Sequence, residues 1–473
     1  MAILAIDQST TSTCALIVED SGKSRIVKRI EHRQIYPQPG WVEQDAEELL
    51  TNIQCCIDSS ADISAIGINN QGESCLAWDA DSKIPISPVI VWQDNRTHLT
   101  IDRLKSENAQ KLVLEKAGLP LDSYFSAAKL AWILKHIPEA GELHCRGKLR
   151  LGTTDAFFLD RLTDHFVTDI STASRTSLMN LYSGQWDEDL CNLFGVPIEA
   201  LPDIVPTTGY FGDITSNGLR IPVTASVVDQ QAALFGHGCT HPGDTKITFG
   251  TGAFALTVTG GQPCQSVGQG LLPTVAWQLS GQSPVYALDG GVYSAGSAIN
   301  WAKSLGLFST YKQIQQFTRP SAIETGLVFV PALAGLGCPY WDRTAGGAWF
   351  GLSLNTQPAD LMQSILEGVV FRTAEVIAAM SEVTSIKGEI SIDGGLSANP
   401  YLCQFLSDVL NQQIIVQSSA ELTALGTARL AAGSQNESNQ ANRPGRQFLP
   451  KVDRRISLEK FKNAVNRTSE WQS

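Results

Sequence analysis

Apolar and polar residues along the chain alternate between two kinds of pattern. Ile3-Leu4-Ala5-Ile6 is a short apolar run, followed by a turn of hydroxyl residues, Gln8-Ser9-Thr10-Thr11-Ser12-Thr13, and a second run, Cys14-Ala15-Leu16-Ile17-Val18. Runs of this length, broken by turn residues, predict a hairpin. The shape returns downstream. Lys246-Ile247-Thr248-Phe249 leads into Gly250-Thr251-Gly252, and Ala253 to Val258 leaves as a strand. Two such units half a chain apart suggest an internal duplication. Between and after them, apolar positions fall at helical spacing: Leu130, Ile133 and Leu134 on one face, and Leu402, Phe405, Leu406 and Val409 on another. Asn399-Pro400 before the second set supplies an N-cap residue and a first helical residue. Leu458, Phe461 and Val465 predict a short amphipathic C-terminal helix, and the polar, low-complexity stretch 434–445 before it reads as a flexible loop.

Alternating strands and helices make the class α/β. A chain of 473 residues is too long for one core, so two domains are expected, 1–237 and 238–473, divided between Asp229 and the second hairpin. The 43% hydrophobic and 17% charged composition excludes general disorder. A formal charge of −12 argues against a nucleic-acid partner. No apolar stretch is long enough to insert into a membrane, and the N-terminus lacks the basic region of a secretion signal. Ten cysteines without a C-x-x-C pair give no zinc or redox motif and fit a cytoplasmic protein with reduced thiols. The seven histidines show no metal-ligand spacing.

Five constellations can carry chemistry. Asp7-Gln8-Ser9-Thr10-Thr11-Ser12 offers N–H and O–H donors to phosphate oxygens and a carboxylate to Mg²⁺; it is also an ordinary polar turn. Thr248-Phe249-Gly250-Thr251-Gly252 allows close backbone approach to a ligand, but matches neither the P-loop nor the dinucleotide fingerprint. Asp393-Gly394-Gly395-Leu396-Ser397-Ala398-Asn399 places two glycines before a helix start, which suits a nucleotide or a plain strand-to-helix turn. Val228-Asp229-Gln230-Gln231 presents either a general base or a helix N-cap. Asn69 to Ser74, with Val91-Trp92-Gln93-Asp94, suits a small polyhydroxylated ligand, although Trp92 alone reads equally as core.

In this order the pieces resemble the FGGY carbohydrate kinases, and within them the glycerol kinases. The resemblance includes Pro39 to Asp45, Tyr124 to Trp132, Thr168 to Thr176, Pro339 to Asp342 and Thr423 to Gly426. It implies two actin-like, ribonuclease H-like domains around a nucleotide cleft. It implies an ATP- and Mg²⁺-dependent kinase phosphorylating a terminal hydroxyl. On the matching positions, Asp229 is the catalytic base and Asp7 lies at the metal. Thr10, Thr11 and Ser12 face the phosphates, and Thr251 and Gly252 form the second phosphate turn. Gly296 and Asn300 line the nucleotide cleft, with Asn300 standing where glycerol kinases usually carry Gln. Gly395 and Asn399 contact adenosine and nearby phosphate. Gly72, Glu73, Trp92, Tyr124, Asp229, Gln230 and Phe254 map to the alcohol pocket. Homodimers and homotetramers are both common in the family.

One pocket position departs from the pattern. Glycerol kinases read Asn-Gln-Arg-Glu-Thr where this chain reads Asn70-Gln71-Gly72-Glu73-Ser74. Losing charge-assisted hydrogen bonds worth about 1.5–3 kcal/mol weakens glycerol about tenfold or more. Glycine is also expected to open space beside Glu73 for a longer polyol or a sugar. Three readings therefore stand: a kinase of glycerol or a related small polyol, a kinase of a ketose or tetritol, and an inactive nucleotide-binding sensor.

Overall fold

The computed structural model describes residues 2–264, 270–419, 421–433, 445–469 and 471. The loop expected at 434–445 lies, up to residue 444, outside the described residues. Two large mixed sheets organise the chain. The first contains β1 (Ala2–Gln8), β2 (Ser12–Glu19), β3 (Ser24–Glu31), β4 (Ala65–Asn70), β5 (Asp213–Ser216) and β6 (Leu219–Val228), in the order β5-β6-β4-β1-β2-β3. The second contains β7 (Thr245–Phe249), β8 (Ala253–Gly260), β9 (Leu272–Trp277), β10 (Val285–Val292), β11 (Ile390–Asp393), β12 (Ile414–Val416) and β13 (Arg446–Phe448), in the order β9-β10-β8-β7-β11-β12-β13.

The duplication expected from the two hairpins is present in the strand order. In the first sheet the β1–β2 hairpin pairs in parallel with β4, which pairs in parallel with β6. In the second, the β7–β8 hairpin pairs in parallel with β11, which pairs in parallel with β12. β3 and β10 extend the far sides of the two hairpins antiparallel to them.

Parallel register decides where the polar turns meet. Gln8, Asn70 and Val228 stand in one row across β1, β4 and β6. The residues at and just past that row, including Asp7, Gln71 to Glu73 and Asp229, therefore gather at one sheet edge. Thr248 faces Asp393 across β7 and β11, so the two glycine turns gather likewise in the second sheet. Carboxyl ends of parallel strands are where open α/β sheets bind ligands.

The predicted helices form. α1 (Ser126–His136) buries Leu130 and Ile133, with Leu134 half-buried. The end of β6 passes into α2 (Asp229–Gly236), and α3 (Gly296–Ser304) follows the second hairpin. α4 (Pro358–Val383) runs 26 residues through the second core and is buried along most of its length. α5 (Pro400–Leu410) buries Leu402, Phe405, Leu406 and Val409, and Asn399 caps it by accepting from the Tyr401 and Leu402 amides at 2.9 and 3.1 Å. α7 (Arg455–Val465) buries Phe461 and Val465 against that core.

One helix crosses between the halves. α6 (Leu422–Ala431) follows the second sheet in sequence, yet Ala424 and Ala428 pack with Ala5 and Leu16 of the first, and Leu430 packs with Ala225 and Val227. Glycine permits the approach to α2. A Cβ on Gly426 would lie 1.9 Å from the Ala232 carbonyl oxygen, and one on Gly236 would lie 2.0 Å from that of Leu422. α2, which carries Asp229, meets α6 on one side and packs Leu234 against Leu256, Val258 and Ala287 of the second sheet on another.

Candidate active site

Asp229 is the first residue of α2. Val228 occupies the N-cap position in extended conformation, so Asp229 is the first helical residue and its carboxyl accepts from the Gln230 amide within the first turn. The N-cap alternative therefore does not hold. Burial, with repulsion from Asp7 and Glu73, pushes the Asp229 carboxyl up to about 7, against the pull of the Gln230 amide and Lys246. A carboxylate at that value is poised to take a proton near neutral pH.

Around it lie residues that the resemblance assigns to an alcohol pocket. Glu73 sits in the left-handed region, with φ at 58°, in the turn after β4. Its Oε1 accepts from Arg175 Nε at 2.7 Å, and Arg175 Nη2 lies 3.0 Å from Asp289 Oδ2 on β10. All three side chains are buried. Tyr124 packs edge-on against Trp92, centroids 5.5 Å apart, and burial raises its hydroxyl pKa well above the usual phenol value, with Glu73, Asp289 and Asp229 adding to the effect. The Trp92 indole donates to Thr10 Oγ1 at 3.0 Å, which ties this pocket to the first phosphate turn. Gln230 Oε1 accepts from Lys246 Nζ at 2.6 Å, and Lys246 also donates to Thr248 Oγ1 at 3.0 Å. Phe254 is half-buried on β8 with its ring against Gly291.

Gly72 is not open on every side. A Cβ placed there would lie 2.8 Å from Val228 Cγ2, with no other atom beyond its chain neighbours within 4 Å. The expected space beside Glu73 is restricted on one side by a methyl group from the neighbouring strand, which the sequence around residue 72 does not reveal.

In the first hairpin, Thr10 and Thr11 lie at the turn, Thr11 exposed, and Ser12 begins β2. Asp7 Oδ1 is buried without a hydrogen-bond partner, and burial together with Glu421 pushes the carboxyl up to about 7. A lone, undonated carboxylate oxygen fits magnesium, which keeps several waters and needs one or two carboxylates beside substrate phosphates. Among the described residues no group of three acidic, histidine or cysteine side chains could form an all-protein metal cage.

The second hairpin opens onto a cavity of about 510 Å³ that includes Thr251, Gly296, Asn300, Gly395 and Asn399 in its lining. The Gly296 amide donates to the Gly250 carbonyl at 3.0 Å, and a Cβ there would lie 2.4 Å from that oxygen, so glycine lets α3 dock on the turn. Gly394 takes φ at 86° and stands where a Cβ would meet the Phe249 backbone at 2.3 Å. Gly395 has nothing within 4 Å of its Cβ direction and leaves the cavity clear. Gly252 sits beneath the turn, close to the Val292 carbonyl. Asn399 divides its polar atoms between the α5 cap and the Ile314 carbonyl, so its part in the lining is a fixed one.

Several residues of the site escaped the motif reading. Tyr311 lines the cavity and donates to Asn300 Oδ1 at 3.2 Å. Arg175 and Asp289 are buried charges paired far apart in sequence, and Lys246 is a buried charge held by Gln230 and Thr248. His237, at the end of α2, is buried with Nε2 3.3 Å from Asp393 Oδ2, and burial lowers its pKa. Arg175 stands inside the Thr168–Thr176 motif and Lys246 opens the second hairpin, but neither segment showed the partner of its charge.

The comparisons agree with this architecture. The model of the FGGY family of carbohydrate kinases, N-terminal domain, matches residues 2–236, and that of the C-terminal domain matches 245–434. A glycerol kinase from Pseudothermotoga lettingae is 37% identical, covering 99% of this chain and 98% of its own. One from Nocardia farcinica is 38% identical, covering 99% of both. Among solved structures, Plasmodium falciparum glycerol kinase with ADP superposes with a TM-score of 0.91 at 30% identity, covering 99% of this chain and 98% of that one. Ligand-bound xylulose kinase from Lactobacillus acidophilus, at 22% identity and TM-score 0.85 over 99% and 96%, shares the fold. With two sheets of matching strand order, a polar turn at the same edge of each and both family domains in sequence, this chain belongs to the FGGY family of carbohydrate kinases.

Proposed function

We propose that the protein transfers the γ-phosphoryl group of ATP to a terminal hydroxyl of glycerol or a closely related small polyol, with Asp229 as general base. The observation that carries this reading is the position of Asp229. It stands at the first turn of α2, in electrostatic reach of both Glu73 in the alcohol pocket and Asp7 at the phosphate turn, with its carboxyl pushed up to about 7. The glycerol kinase relatives, similar over nearly their whole length, support the choice of alcohol.

The adenosine would occupy the cavity between Gly395 and Asn300, with its phosphates directed toward Thr251 and the Thr10–Ser12 turn. Glu73 accepts from the hydroxyls that do not react, Trp92 and Phe254 pack against the carbon chain, and Gln230 is held for its contact by Lys246. Asp229 removes the proton from the attacking hydroxyl as its oxygen bonds to phosphorus and the bond to the ADP leaving oxygen breaks. Asp7 would hold Mg²⁺, which when bound supplies positive charge against the phosphate oxygens. Closure of the halves excludes water and limits hydrolysis of ATP. We take residue 237 as the boundary between the two halves. The same proposal places the enzyme in the cytoplasm, as a homodimer or homotetramer. All ten cysteines are free thiols, as in a reducing compartment, and no helix among the described residues is long and apolar enough to cross a membrane.

The test is ADP release with Mg²⁺ and ATP against glycerol, erythritol, xylitol, ribulose, xylulose and dihydroxyacetone. Saturation by glycerol supports the proposal. Strong turnover of a four- or five-carbon substrate with glycerol poor assigns the other acceptor class, and no turnover of any assigns the inactive sensor. The base must be ionised, so kcat/KM for the alcohol falls about tenfold per pH unit below about 7 and levels off above it. A profile flat down to pH 5 would leave Asp229 without the role of base. At the other end of the cleft, Gly395→Val fills open cavity and raises KM for ATP by about tenfold, the lower part of the range for overpacking, while KM for the alcohol stays unchanged.

A further inference from the structure

We propose that Val228 is a specificity-determining residue, and that its contact with Gly72 sets the width of the alcohol pocket between Glu73 and Asp229. The proposal rests on the assignment of those two carboxylates to the pocket given above. Gly72 and Val228 are the immediate neighbours of the two carboxylate residues in sequence. They belong to segments that meet side by side, because Asn70 at the end of β4 is in register with Val228 at the end of β6. A Cβ on Gly72 would lie 2.8 Å from Val228 Cγ2, below the contact distance of real Cβ atoms. At this point the turn bearing Glu73 lies too close to the Val228 side chain for a Cβ to enter without a shift.

Val228 cannot easily give way. It is 3% exposed, β-branched, and restricted at χ1. Its amide also accepts no freedom of position, since it donates to Ser171 Oγ at 3.1 Å. Glu73, held in a left-handed conformation and bonded to Arg175, moves as one piece with the backbone of residue 72. Any side chain at 72 pushes the Glu73 turn away from Asp229 and lengthens the alcohol that fits between them. Larger bulk at 228 does the same from the other side. An arginine at 72 would have to displace Val228 before its guanidinium reached any hydroxyl.

The experiment compares kcat/KM for glycerol with kcat/KM for erythritol in wild type, Gly72→Ala, Val228→Ile and the double variant Gly72→Ala with Val228→Ala. The expected result is that Gly72→Ala and Val228→Ile each lower the glycerol-to-erythritol ratio about fivefold or more, and that Val228→Ala returns the ratio of Gly72→Ala to within about twofold of wild type. A purely structural contact would lower both rates alike and leave the ratio unchanged, which would overturn the proposal. So would a double variant that keeps the ratio of Gly72→Ala. Thermal unfolding with ATP present shows which variants are folded, and Val228→Ile tests the same corner if Gly72→Ala is not. Failure of the glycerol assignment itself shows in the wild type. The ratio is then read between the alcohol turned over and its homologue one carbon longer.

Discussion

Asp229→Asn lowers kcat by about 10²–10⁴-fold while ADP and ATP binding persist, the range expected when a positioned general base is removed. The substitution keeps the shape of the side chain and removes only its capacity to take a proton. It does not cost the fold a helix cap, because Val228 holds the N-cap position, and the asparagine oxygen can still accept from the Gln230 amide. It also relieves a repulsion. Burial and the nearby Asp7 and Glu73 carboxylates push Asp229 up to about 7, so a neutral amide in its place is tolerated at least as well as the anion. The variant is therefore expected to melt no lower than wild type and to bind nucleotide no more weakly. The acid limb of the pH profile disappears with the base. Single-turnover kinetics beside calorimetric titration with ADP separate the outcomes. Near-normal turnover removes Asp229 from the mechanism, and lost nucleotide binding assigns it to holding the phosphates instead.

The parts of the site that were legible in the sequence are those built from local chain. The hydroxyl turn after β1, the glycine turns after β7 and β11, the Asn399-Pro400 helix start and the amphipathic faces all depend on residues within a few positions of one another. Strand period and turn chemistry report such features directly. The strand order repeated in the two sheets was also foreshadowed, because each copy begins with the same hairpin.

What stayed hidden depends on pairs far apart in the chain. Val228 meets Gly72 only because two parallel strands place residues 70 and 228 side by side, and nothing near residue 72 encodes that register. Lys246 looks like an ordinary strand residue until β7 brings it to Gln230. The contact between α2 and α6 needs Gly236 and Gly426 at once, and each alone reads as a helix-breaking residue. Such contacts are set by tertiary packing, which a single sequence records only as an oddity, here a missing arginine or a glycine within a helix.

Arg175→Met destabilises the protein by about 3–5 kcal/mol, the cost of breaking a buried ion pair and leaving its partners uncompensated. Arg175 is 3% exposed and lies between Glu73, in the turn after β4, and Asp289, on β10 of the second sheet. Removing it strands two buried carboxylates, one from each half of the molecule. Alcohol affinity falls with stability, because Glu73 loses the partner that fixes its carboxylate. Nucleotide affinity in the 510 Å³ cavity is spared, since Arg175 is not part of its lining. The pH dependence has a definite sign. Burial already raises both carboxyls above their ordinary values, with the guanidinium opposing that rise. Without it their folded-state pKa values climb further, while those of the unfolded chain stay near ordinary carboxylate values. The folded variant then binds protons the unfolded chain does not, so its stability recovers as pH falls through the raised values toward the unfolded ones. Urea unfolding of wild type and variant at pH 8 and pH 5.5 measures the difference. A gap that narrows on acidification identifies uncompensated carboxylates. A gap equal at both pH values would mean that Arg175 contributes packing rather than charge, and Arg175→Lys, which keeps the charge but cannot span both carboxylates, would then behave like the methionine variant at either pH.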